Sequence, residues 1–243
     1  MIVAHMATYP SRRSTVIESV ATLANQVDKI CLILNEYAEV PAELKNIANL
    51  EPIIPDRDLK DTGKFYPQVG IDDHIFLADD DLLYSDGYVA QTLDRASECN
   101  ISRAAFGYHG SLFRSGFAQA SFRRRRVIKF HRRLDSSVIV DMLGTGTVYI
   151  RGIDMPPFTV MASAQRFTDV RFAVWCHQQG LPRVCLSRNG GVIRGMETKE
   201  SIFSTFTADL PDAVLSEVAL FAGKSPGLGM SPAEFAESPS FRE

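Results

Sequence analysis

Ile75-Phe76-Leu77-Ala78 are four apolar residues in a row, and they stop abruptly at three carboxylates, Asp79-Asp80-Asp81. A short unbroken apolar run of this kind is what a strand covered on both faces looks like. Helices must then cover both faces of the sheet, which points to an α/β fold. A turn, Ser85-Asp86-Gly87, follows, and a helical pattern runs from Tyr88 to about Ala96. In an open α/β sheet, ligands bind beyond the carboxyl ends of the strands. Three acids placed there repel one another unless a cation offsets the charge. Hard carboxylate oxygens suit Mg²⁺ or Mn²⁺, and Mg²⁺ commonly takes one or two protein carboxylates plus phosphate oxygens of a substrate. A solvated polar turn is the plain alternative. What favours a metal-bridged phosphate site is position, since the acids close the most apolar strand signal in the first half of the chain.

The surrounding pattern repeats strand, helix, strand. Ile2 to Ala7 is a short apolar strand, broken at Thr8-Tyr9-Pro10-Ser11, where Pro10 fixes the backbone and Ser11 can cap. Arg12 to Asn25 places Val16, Ile17, Val20, Leu23 and Ala24 at helical spacing. Lys29 to Leu34 is a second buried strand, Pro41 to Ala48 a short helix, and Glu51 to Ile54 a third strand. Such alternation implies parallel pairing with right-handed crossovers. Further on, Arg103 to Gly107 and Val138 to Val140 read as strands. Leu143-Gly144-Thr145-Gly146-Thr147-Val148-Tyr149-Ile150 sets glycines against a strand, which marks either a close backbone approach or a bulge. Phe167 to Gln179 is a helix with Thr168 as its cap and Asp169 in its first turn, where the helix dipole alone favours an acid. Gly180 ends it. Leu181 to Leu186 returns as a strand, and Pro211 to Ala222 is a last amphipathic helix. The expected organisation is one domain over residues 1–222, with a Gly, Ser and Pro-rich, poorly ordered tail over 223–243.

Composition bounds the function. A net charge of −3 argues against a nucleic-acid binder. Cys31, Cys99, Cys176 and Cys185 lie far apart without CxxC spacing, so neither a zinc site nor a disulfide framework is indicated. The start lacks the basic and apolar regions of a signal peptide, and no apolar run is long enough to span a membrane. A cytoplasmic protein is expected, peripheral at the inner face of the membrane if its basic run meets lipid. That run, Arg123-Arg124-Arg125-Arg126 with Lys129, Arg132 and Arg133 close behind, is either a solvated face or a contact for an anionic acceptor, a phosphate or a membrane surface. There is no Walker A loop around Gly63-Lys64 and no GxGxxG after the first strand.

The assembled order resembles the glycosyltransferases of the GT-A fold, particularly family 2-like bacterial enzymes of surface polysaccharide synthesis. The residues that carry the resemblance are Met6-Ala7-Thr8-Tyr9-Pro10, Leu32-Ile33-Leu34-Asn35, Gly63-Lys64-Phe65, the DXD-like triplet Asp79-Asp80-Asp81 with Tyr84 and Tyr88, His109-Gly110, Gly144-Thr145-Gly146, and Asp169 within Thr-Asp-Val-Arg-Phe-Ala. The resemblance covers roughly residues 1 to 195. The resemblance implies a mostly parallel central sheet flanked by helices and a nucleoside-diphosphate-sugar donor, a UDP-sugar by family frequency, with uracil the base. Thr8, Tyr9, Pro10 and Asn35 would lie by the nucleotide base, and Lys64 would reach the nucleotide. Asp79 and Asp80 would belong to the nucleotide-sugar site, with Asp79 on ribose or sugar. Asp81 would ligate Mn²⁺ or Mg²⁺, with His109 as a further candidate ligand, and Asp169 would be the base of an inverting transfer to a glycan or other hydroxyl acceptor.

Two departures bear on this expectation. Thr168-Asp169 stands where many family members have Glu-Asp, and the QxxRW motif of processive synthases is missing after Gln178, so a single addition is expected. A sugar-phosphate nucleotidyltransferase is the first alternative, but it would carry a glycine-rich, arginine-containing loop where this chain has Thr8-Tyr9-Pro10. A catalytically inactive nucleotide-sugar binding module is the second. Trp175 and Phe172 are expected in the core. Arg188 and Arg194 could meet diphosphate charge, with surface positions the simpler account.

Overall fold

The computed structural model describes residues 1–113, 125–197, 210–225 and 227–237. Its strands are β1 (Ile2–Thr8), β2 (Lys29–Leu34), β3 (Leu50–Ile53), β4 (His74–Asp79), β5 (Leu82–Tyr84), β6 (Ala105–Gly107), β7 (Gly110–Leu112), β8 (Arg126–Ile128), β9 (Val138–Val140), β10 (Met142–Leu143), β11 (Thr147–Arg151), β12 (Arg183–Cys185) and β13 (Ile193–Gly195). The helices are α1 (Arg13–Leu23), α2 (Tyr88–Glu98), α3 (Phe158–Met161), α4 (Thr168–Gln178), α5 (Asp212–Phe221) and α6 (Pro232–Glu237). The architecture is α/β, built on an eight-stranded, mostly parallel mixed sheet in the order β3-β2-β1-β4-β11-β6-β12-β9. The pairs β3–β2, β2–β1, β1–β4 and β6–β12 are parallel, and β4–β11, β11–β6 and β12–β9 antiparallel.

Strand alternation sorts the apolar residues onto two faces. Ala4, Met6, Ile30, Leu32, Phe76 and Ala78 pack with Val16, Val20 and Leu23 of α1 and with Tyr88 and Val89 of α2. Val3, Cys31, Ile75, Leu77, Val148 and Ile150 pack with Phe65, Met161, Phe172 and Cys176 on the opposite face. With both faces apolar, each central strand reads as a continuous run. A third cluster joins Met142, Val170 and Val174 to Val214, Val218 and Phe221 of α5. Phe172 is fully buried, as expected, and Trp175 packs beside it with Nε1 donating to the Asp154 carbonyl at 2.9 Å.

Three local expectations change. Pro41 to Ala48 is not an α-helix but holds one 3₁₀ turn, Ala42–Leu44, which buries Leu44. Leu143 to Ile150 divides at Gly144-Thr145-Gly146 into β10 and β11. Arg188 is not on the surface. It is buried, donates to the carbonyls of Lys129, Phe130 and Leu186, and stacks over Tyr108 at 5.8 Å. Arg194 is exposed on β13. Beyond residue 222, Ser225 is buried and bonds Arg183 and Asp141, the Gly229 N–H donates to the Ile139 carbonyl, and α6 follows. Residues 238–243 lie outside the described residues, as do Arg123 and Arg124 of the basic run.

Candidate functional site

The carboxyl ends of β1, β2 and β4 lie together because these strands are parallel and in register, with Ala7 opposite both Ile33 and Asp79. Strand β11 runs the other way, so its first residue, Thr147, sits opposite Ala78 at the same end. The turn before it, Gly144 to Gly146, is thereby brought against the acids. A cavity of about 590 Å³ opens here. Its lining includes Thr8, Tyr9, Asn35, Lys64, Asp79, Asp80, Asp81, His109 and Asp169. Pro10 is not among the lining residues and instead begins the 3₁₀ turn Pro10–Arg12.

Each acid of the triplet has its own partner, which is how three carboxylates share one strand end. Asp79 is paired with Lys64, whose side chain is only 4% exposed while that of Asp79 is 42% exposed. Asp80 is buried and accepts from Thr8 Oγ1 at 2.7 Å. Burial pushes its carboxyl up to about 7, against the pull of Thr8. Asp81 accepts from Arg12 Nη1 at 2.8 Å, and burial with the nearby Asp79 charge also raises its carboxyl. Arg12 is itself buried, stands 4.0 Å from Asp80, and lies over the Tyr9 ring.

Backbone geometry fixes these side chains. The Tyr84 hydroxyl accepts the Asp79 N–H at 2.9 Å and donates to the Gly146 carbonyl at 2.8 Å, so it bridges β4 and β11 just past their last registered pair. A Cβ at Gly146 would fall within the Asp79 carboxylate, so the close backbone approach expected of this glycine is to Asp79. His5 Nδ1 meets the Lys64 carbonyl at 3.0 Å and holds the turn that carries Lys64. Asn35 is buried, with Oδ1 accepting the Leu59 N–H at 2.9 Å and Nδ2 donating to the Lys60 carbonyl at 3.1 Å. Its amide therefore secures the start of the same turn.

Asp169 faces the triplet from α4. Thr168 does not cap this helix. Phe167 occupies the N-cap position, and the Thr168 hydroxyl turns to Asp61 Oδ2 at 3.0 Å. Asp169 Oδ1 accepts both the Thr145 N–H, at 2.8 Å, and Thr145 Oγ1, at 2.7 Å. Burial raises the Asp169 carboxyl, while these two bonds and the Lys64 charge oppose that rise. A carboxyl made more basic by burial is, in its ionised form, suited to accept a proton from a poorly acidic hydroxyl.

The chemistry of the donor set suits a divalent ion that brings phosphate oxygens with it. Asp79 and Asp81 are partly exposed and offer hard oxygens, and one oxygen of each is engaged by Lys64 or Arg12. Among the described residues, no group of three or more His, Cys, Asp or Glu side chains is placed to hold a metal by itself. His109 lines the same cavity, its Nδ1 is buried without a hydrogen-bond partner, and burial pushes its imidazole down to about 4, so it is neutral at pH 7. Arg12, Asp61, Ser111, Arg125, Thr145, Arg166 and Thr168 also line the cavity. Arg125 belongs to the basic run read as a solvated face or a contact for an anionic acceptor, phosphate or membrane, and Thr145 to the Gly144-Thr145-Gly146 motif. No site signal in the sequence marks Arg12, Asp61, Ser111 or Arg166.

No protein-family model and no curated protein matches the chain. Among solved structures, it is similar to that of S. aureus TarS 1-349, with 12% identity and a TM-score of 0.44 over 90% of this chain and 70% of that one. Among the described residues, no helix is long and apolar enough to cross a membrane.

Proposed function

We propose that this chain is a glycosyltransferase that moves a sugar from a nucleoside-diphosphate sugar, UDP-linked, to a hydroxyl of a glycan or similar acceptor, in one inverting, non-processive step. One observation carries the reading. A strand-end acid triplet with its buried cations and a partly buried, hydrogen-bonded carboxylate from a separate helix line a single cavity of a size that suits a small-molecule ligand. Thr8 and Tyr9 would flank the nucleotide, with Asn35 keeping their neighbouring turn in place. Lys64 and Arg12 supply positive charge beside the diphosphate. Asp79 and Asp81 would hold Mg²⁺ or Mn²⁺, with His109 lining the same cavity. When bound, such an ion offsets the negative charge that grows on the departing diphosphate.

Asp169 then acts on the acceptor. Its carboxylate takes the hydroxyl proton as the acceptor oxygen bonds to the anomeric carbon, and the bond from that carbon to the diphosphate oxygen breaks with its electron pair leaving on the nucleotide. Thr145 keeps the carboxylate oriented through this step. The test is a melting scan against a panel of sugar nucleotides with and without Mn²⁺, followed by a transfer assay. Asp81→Ala is expected to remove the metal-dependent stabilisation by UDP. Asp169→Asn is expected to keep that stabilisation and to lose transfer. An Asp81→Ala protein that binds UDP and Mn²⁺ like the parent would place the donor site elsewhere.

A further inference from the structure

The cavity's two working sides come from stretches far apart in sequence. One is the 3₁₀ turn Lys60–Phe65, which carries Lys64, and the other is the start of α4, which carries Asp169. Three hydrogen bonds join them. Gln165 Nε2 donates to the Asp58 carbonyl at 3.1 Å, the Arg166 N–H donates to Asp61 Oδ1 at 2.7 Å, and Thr168 Oγ1 donates to Asp61 Oδ2 at 3.0 Å. Both carboxylate oxygens of Asp61 are thus spent on the segment that leads into Asp169. That segment needs holding, because Arg166 sits at φ +70°, a left-handed conformation that a side chain with a Cβ adopts only when its surroundings impose it.

We propose that Asp61 is a positioning residue for Asp169: its carboxylate clamps the Arg166 N–H and the Thr168 hydroxyl, and so fixes the helix start that carries Asp169 to the turn that carries Lys64. The inference rests on the reading of Asp169 as the base. It extends that reading, since the donor-side turn and the acceptor-side helix then move as one piece. A misplacement of about 1 Å at such a joint costs on the order of 100-fold in rate.

Asp61 also acts through charge. The groups that face Asp169 are Lys64 and Asp61 from the turn, Asp79 from the end of β4, and the Thr145 N–H and hydroxyl, and the Arg125 guanidinium also senses the Asp169 charge. Burial and the Asp169 charge both raise the Asp61 carboxyl, and the repulsion is mutual. Replacing Asp61 by asparagine keeps one oxygen acceptor and the side-chain shape but deletes a negative charge. Ionised Asp169 is then favoured and titrates at lower pH. That shift reports the charge of Asp61, whereas a fall in kcat with UDP affinity kept reports its positioning role.

The experiment compares Asp61→Asn and Asp61→Ala in the full chain, following the Asp169 carboxyl by ¹³C NMR titration with the signal assigned from Asp169→Asn. UDP and Mn²⁺ binding and sugar transfer are measured alongside. For Asp61→Asn, which keeps one of the two bonds, the Asp169 titration is expected to move down while UDP affinity stays within about threefold of the parent and kcat falls less than in Asp61→Ala. For Asp61→Ala, kcat is expected to fall by about 10- to 100-fold with UDP affinity again nearly unchanged. An Asp169 titration unmoved in Asp61→Asn overturns the proposal, as does a loss of UDP affinity as large as the loss in kcat. A parent protein that transfers no sugar defeats the transferase reading alone, because the titration still decides whether Asp61 acts on Asp169. If Asp61→Ala fails to fold, Asp61→Asn decides the matter.

Discussion

Replacing Tyr84 by phenylalanine deletes one oxygen atom and leaves the ring, which packs 4.8 Å from the Tyr88 ring centroid, where it is. No cavity opens, so the cost is that of two unmade hydrogen bonds. The Gly146 carbonyl is buried and would lose its 2.8 Å donor, for about 1–3 kcal/mol. The Asp79 N–H, at 2.9 Å, lies in a partly exposed residue, so water can reach it and its loss adds about 1 kcal/mol. The sum is about 2–4 kcal/mol, or roughly 5–15 °C in Tm for a chain of this size. Urea denaturation of the parent and Tyr84→Phe proteins measures it directly. The same variant should bind UDP and Mn²⁺ more weakly, because Asp79 loses the bond that seats its backbone against β11. A stability loss below about 0.5 kcal/mol would show that the hydroxyl is not what ties β4 to β11, and the account of how Asp79 is placed would fail with it.

His5 is fully buried and its imidazole is pushed down to about 4 by burial, below its ordinary 6.5. The native state therefore binds fewer protons than the unfolded chain between those values, and stability falls as pH falls through that window. Between about pH 7 and about pH 4.5 this group alone should cost the parent about 2.5 kcal/mol, and urea titrations of His5→Gln should show a slope smaller by that amount. Thr145→Val removes a charge-assisted bond to ionised Asp169, so the acid limb of the transfer pH profile should move to higher pH and kcat should drop about 10-fold or more. Gly146→Ala forces a Cβ into the Asp79 carboxylate, and calorimetry should show nucleotide binding lost with at most about 1–3 kcal/mol of stability.

What could be read from the sequence is what depends on near neighbours. The runs Lys29–Leu34 and Ile75–Ala78 announce buried strands because every residue meets an apolar face, and Gly180 at φ +66° ends its helix where a left-handed residue was expected. That the acid triplet closes a buried strand was legible because three carboxylates end an apolar run, whereas Thr8, Lys64 and Asp169 were drawn to the same place only by the resemblance. Pairings across the fold were not legible. Arg12 answers Asp81, 69 residues away, and Asp61 answers Thr168, 107 residues away. Arg188 looked like a surface charge because composition cannot show that three carbonyls would converge on it. Nor does any local pattern in Thr147 to Arg151 say that this strand joins β4 antiparallel, although that direction is what brings Thr145 and Gly146 to the site.

The arrangement of charge explains why the acids tolerate one another before any anionic ligand arrives. At an effective dielectric constant of about 20, two like charges roughly 4 Å apart repel by about 4 kcal/mol, so three bare carboxylates on consecutive residues would be costly to the fold. Here Asp79 is answered by Lys64, Asp80 by Thr8 together with its own raised affinity for a proton, and Asp81 by Arg12. Each cation is buried, so its position is set by packing and not by the ligand. In the proposed reaction, a diphosphate entering beside them would add negative charge to a region already balanced, and a divalent ion carried in with it would restore the balance without moving Lys64 or Arg12. Donor affinity in the proposed reaction should therefore depend steeply on the divalent ion, while the fold itself should not.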